Sequence, residues 1–191
     1  DNRENGDEGL LRPNAVESWA HEEKKIREDE EDAKDIIPVK IDGLQRRYSL
    51  DVEYGGTMLD VERDEDSWMN AVIVTGLSEE EKEKLDSSEE NYETEALDMD
   101  NVEPYLKEHN EELEKAFEEG EVQIYIGDHK VSNRPRNQTY HDRIHRGMEF
   151  IGEIYSEELA EQMWQDFKQT TYETPIAGVQ REEPENSGRI E

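Results

Sequence analysis

The hydrophobic pattern changes period at Asp35, and this change constrains the fold more than any other feature of the chain. Before it, residues 1–35 carry thirteen acids and almost no β-branched side chains, and EEKKIREDEEDAKD reads as a solvated helix or a flexible acidic arm. Only LLRPNAVESW stands apart, with Leu10, Leu11, Val16 and Trp19 spaced to bury one side of a turn followed by a short helix. After Asp35 the apolar residues fall into short alternating runs. IIPVKI, RRYSLDVEY, TMLDV and WMNAVIVTGL read as four strands separated by DG, GG and DEDS turns.

SEEEKEKL follows as a helix with Ser78 as N-cap and Glu81 at the capping-box position. NYETEAL has the composition of another strand. NVEPYLKEHNEELEKAFEEG predicts a helix entered through Pro104, with Leu106, Leu113 and Phe117 on one face and Gly120 as its stop. In EVQIYIGD, Val122, Ile124 and Ile126 alternate as in a half-buried strand. Beyond the polar VSNRPRNQ, the segments TYHDRIHRGM and SEELAEQMWQDF predict two helices, the second with Leu159, Met163, Trp164 and Phe167 on one face. The expected fold class is α+β, a small mixed β-sheet or partial barrel with flanking helices over residues 36–173. Residues 1–35 form an arm and residues 174–191 a mobile tail in this reading.

Charge decides which partners are excluded. With 22 Lys+Arg against 53 Asp+Glu the formal charge is −31, and no basic stripe interleaves with aromatics, so nucleic acid is not an expected partner. The same field disfavours an anionic membrane surface. No apolar run approaches the roughly 20 residues that span a bilayer, and DNRENGDEG has no signal-peptide core. With only 31% hydrophobic residues, disorder is one explanation and a surface adapted to high salt the other. The gathering of all three Trp (Trp19, Trp68, Trp164) and most Ile, Val and Tyr into patterned segments favours a folded core under an acidic shell. The expectation is a soluble, cytoplasmic, halophilic protein that salt stabilises by screening self-repulsion. Zero Cys excludes disulfides, thiol catalysis and thiolate zinc sites.

Three segments are candidates for chemistry. LDSSEENY, residues 85–92, places a carboxylate between a capped helix and a strand, although in a chain with 53 acids most Glu are solvated surface groups. HDRIH puts His141 and His145 at i and i+4, but the Glu of the zinc-protease motif and a third ligand are missing, and two partly exposed histidines on a helix explain it more simply. YGGTM, residues 54–58, has paired glycines that could turn backbone N–H groups to an anion; a strand-to-strand turn accounts for Gly55 and Gly56 equally well. No nucleophile elbow, phosphate loop or dinucleotide fingerprint occurs.

Taken in order, the segments from Ile37 to Tyr172 resemble the γ-glutamylcyclotransferase-like family. IPVKIDGLQRRYS resembles its strand, glycine, basic pair and aromatic; TMLDVERDEDSWMNAVIV resembles the strand pair that follows; LDSSEENY matches its LDxxExxY. The spacing of Tyr140 and Gly147 in YHDRIHRG, before a helix ending FKQTTY, resembles the C-terminal part. The resemblance covers about three quarters of the chain. It departs at the amino end, where Asp7, Glu8 and Gly9 stand in place of the Tyr, Gly and Ser of a YGSL-type loop that binds substrate through backbone N–H groups. Two acids there would repel a carboxylate, so either the loop lies upstream or the site has lost its usual ligand. Ala71 also stands where relatives usually have Gly.

The resemblance implies an intramolecular reaction in which the α-amino group of a γ-glutamyl amine or peptide attacks its own γ-carbonyl, giving 5-oxoproline and a free amine. It implies Glu89 as the general acid and base, with Gly9, Leu10, Leu11, Tyr92 and Tyr140 binding substrate, and neither metal nor cofactor. For that task the Glu89 carboxyl must be enclosed in apolar surroundings that raise its pKa. The acidic opening supports the alternative, a catalytically inactive member of the same fold that binds a protein partner or serves in assembly.

Overall fold

The computed structural model describes residues 36–52, 56–80, 82–83, 92–127 and 135–173. The alternating apolar residues after Asp35 build two long strands, β1 (Ile36–Val52) and β2 (Gly56–Val74), paired antiparallel from Ile36↔Val74 to Val52↔Gly56. They take the place of the four expected strands. The DG and DEDS signals lie opposite one another at a register shift, where Asp42 pairs with Trp68 and Leu44 with Arg63. Gly43, at φ 84°, carries the irregularity on β1. On β2 the Asp64 carboxylate accepts from Asp66 N–H at 3.0 Å and Ser67 Oγ at 2.9 Å, so the turn chemistry is satisfied inside the hairpin without reversing it.

The two strands expected at NYETEAL and EVQIYIGD form, and β3 (Tyr92–Ala96) pairs antiparallel with β5 (Gln123–Gly127). Between them, β4 (Val102–Pro104) joins β1 antiparallel, and helix α1 (Asn110–Glu119) starts only after a 3₁₀ turn at Lys107–His109. The helix expected from residue 101 is thus shortened: Pro104 ends a strand, and Tyr105 N–H donates to Pro38 O at 3.0 Å. Helices α2 (Gln138–Ile154) and α3 (Glu157–Thr170) follow, capped by Asn137 and Ser156. A short strand that the pattern did not announce, β6 (Thr171–Glu173), runs parallel to β1 at Arg46–Tyr48.

The result is a mixed α+β architecture with a mixed sheet of order β2-β1-β4, β6 pairing along β1, a two-stranded β3-β5 sheet and flanking helices. Among the described residues the strands do not close into a barrel. Alternation gives the β1–β2 ribbon two faces. Ile37, Val39 and Ile41 with Met69, Ala71 and Ile73 pack on Ile124, Ile126 and Leu113. The opposite face meets α2 and α3, where Asn70 Nδ2 donates to Met163 O at 2.8 Å and Val72 packs against Ile151, Leu159 and Met163. No helix among the described residues is long and apolar enough to cross a membrane.

Candidate functional site

The helix-facing side holds most of the buried titratable groups. Arg46, 6% exposed, donates from Nε to Thr171 Oγ1 at 2.9 Å, from Nη1 to Asn70 O at 2.6 Å, and from Nη2 to Asn70 Oδ1 at 2.7 Å and Thr170 Oγ1 at 3.1 Å. Its guanidinium lies 4.3 Å from the centre of the Phe167 ring. Thr170 ends α3, so the cation also sits at the negative end of a helix dipole. Burial lowers the Arg46 pKa to about 10, which leaves it charged at neutral pH. Nearby, Asp166 accepts from Tyr105 Oη at 2.6 Å and Gln162 Nε2 at 2.9 Å, and burial together with this bond raises the Tyr105 pKa.

Tyr48 and His141 share a hydrogen bond of 2.7 Å between Oη and Nδ1. Tyr140 packs edge-on against Tyr48, and Trp164 and Phe167 complete the aromatic cluster. Burial pulls the His141 pKa down to about 4, with Arg136 lowering it further, and burial pushes that of Tyr48 up. His145 stacks on Trp164 at 4.2 Å. Hence the HDRIH pair is occupied by aromatic packing, and no group of three acidic or histidine side chains suited to a metal occurs among the described residues. The YGGTM glycines have a comparable explanation at Gly56. Its φ is 119°, a Cβ there would lie 2.4 Å from Pro135 O, and the adjacent Thr57 N–H donates to that oxygen at 2.9 Å.

The other face of the ribbon leaves space. Between β1–β2 and β5, beside the end of α1, lies a cavity of about 380 Å³ walled by Ile41, Met69, Ala71, Ile73, Val122 and Ile124. Its rim carries Glu79, Lys82, Glu119 and Glu121, all exposed. Glu79 and Lys82 belong to the helical turn opened at Ser78, where Lys82 N–H donates to Ser78 O at 3.0 Å, at the start predicted from the capping residue. That turn leads toward LDSSEENY. The volume and apolar walls suit a small-molecule site, and a carboxyl group enclosed there would titrate well above its ordinary value.

The sequence-predicted residues are divided among these places. Glu89, Gly9, Leu10 and Leu11 lie outside the described residues. The Tyr92 backbone opens β3 opposite Gly127 of β5, the strand that forms one wall of the cavity. Tyr140, 6% exposed, belongs to the aromatic cluster beneath the helices, so it and β3 stand on different sides of the ribbon. Of the cavity walls, the alternating Val122 and Ile124 were legible as one face of a strand and Met69, Ala71 and Ile73 as part of another strand, but nothing local to them signals that a space lies between. Comparison of the chain with family models, curated proteins and solved structures finds no match.

Proposed function

We propose that the chain is a γ-glutamylcyclotransferase-like enzyme that uses the inter-sheet cavity to cyclise a γ-glutamyl amine or peptide to 5-oxoproline. The observation that carries the reading is where the described flanks of the LDSSEENY segment lie: Glu79 and Lys82 on the cavity rim before it, and β3, hydrogen-bonded to the wall strand β5, after it. Glu89 acts as the single acid and base. It takes a proton from the α-amino nitrogen as that nitrogen bonds to the γ-carbon, then delivers it to the departing amine as the amide C–N bond breaks, with no water consumed.

All of the acids on the described rim are exposed, so none of them has the enclosure the task requires. This makes the reading depend on Glu89. It also frames the second reading, an inactive binding module, which the acidic Asp7 and Glu8 favour. Incubation with a panel of γ-glutamyl compounds in molar KCl, with 5-oxoproline read by mass spectrometry, tests the choice. Product from the wild type that falls at least about a hundredfold in Glu89→Gln is expected. Undiminished product in the variant would sink the assignment.

A further inference from the structure

The geometry points to a leaving group that is an apolar amine without a carboxylate, and this inference rests on the proposed use of the inter-sheet cavity. Substrates of the reaction share the γ-glutamyl half and differ only in what is attached at the γ-carbonyl. The cavity must therefore match that variable half in polarity as well as size.

Its walls are mostly apolar, with Ile41, Met69, Ala71, Ile73, Val122 and Ile124 joined by Thr75, Gln123 and Tyr125, and Ile41 is 1% and Met69 3% exposed. Lys82 is the one basic side chain among the described lining residues, and it is exposed at the rim beside Glu79, Glu119 and Glu121. A leaving group with its own carboxylate, such as an amino acid or a peptide, meets two penalties here. Inside, its charge would be desolvated against aliphatic side chains with no enclosed cation among them. At the mouth, the described rim sets three carboxylates against one ammonium, and solvent screening only weakens that repulsion. An alkyl or arylalkyl amine avoids both penalties and gains from burial against the walls. The proton it carries away comes from the attacking nitrogen, so its departure as a neutral amine requires no further partner.

The test is a matched pair, γ-glutamyl-phenethylamide and γ-glutamyl-phenylalanine, which differ by one carboxylate. Turnover is read as 5-oxoproline and binding by calorimetry, both on the full chain in KCl. The expected result is a kcat/KM, or an affinity, at least about tenfold higher for the phenethylamide. Turnover of both at equal efficiency, or a preference for the phenylalanine compound, overturns the leaving-group inference while leaving the cyclotransferase reading intact. Selective binding of the phenethylamide without turnover overturns the enzyme reading and retains the ligand class. Absence of binding to either compound overturns the inference.

Discussion

On the helix-facing side of the β1–β2 ribbon, Arg46 makes four hydrogen bonds to Asn70, Thr170 and Thr171, Asp166 accepts two, and aromatic rings pack beside them. On the opposite side the same two strands present aliphatic side chains to a cavity of about 380 Å³. The comparison separates burial from function. Shifted pKa values concentrate where titratable groups are enclosed, and here that is the side on which polar atoms hold α3 and β6 to the sheet. Among the described residues, the inter-sheet cavity lies where buried titratable groups are few.

If the polar side is a clamp, its removal should be costly. Arg46→Ala leaves Asn70 Oδ1 and two threonine hydroxyls without their donor and opens a void beneath Phe167. The expected loss is about 3 kcal/mol or more in denaturant unfolding. A loss below about 1 kcal/mol would mean that α3 is held by its apolar contacts alone.

A smaller effect is expected from His141. The unfolded chain binds its proton with the ordinary pKa of 6.5 and the folded chain only at about 4. Between these values unfolding takes up a proton, so this contribution is intact above about pH 6.5 and is lost progressively as the pH falls toward 4. Allowing for solvent that reaches part of the ring, the loss is roughly 1–2 kcal/mol. His141→Gln should show a shallower fall over this window than the wild type. Parallel pH profiles would remove His141 from the account of acid stability.

Part of the apolar framework was legible because alternation is local: β5, the strand segments within β1 and β2, and the face of α3 follow from residues two or three to four apart. What the sequence concealed was long-range. The Gly43 and DEDS signals are those of turns, and only the pairing of Asp42 with Trp68 turns them into an irregularity within one hairpin. Pro104 suits a helix start as well as a strand end, and β4 exists because β1 is beside it. β6 is three residues long and pairs with a segment 125 residues earlier. The same distance hid the role of Arg46, which in sequence is half of a basic pair and in the structure is enclosed by Asn70 and Thr171. For the candidate site, the carboxylate motif was visible as a spacing, whereas the cavity is a property of two sheets packed together.

Ala71→Phe fills that cavity and gives the most direct test of the account. Because the ring enters existing space, unfolding free energy should change by less than about 1 kcal/mol. Formation of 5-oxoproline, or binding of the phenethylamide where no turnover occurs, should fall at least about tenfold in the same folded sample. A variant that folds with wild-type stability and keeps wild-type turnover and binding would contradict the claim that the inter-sheet cavity is the functional site.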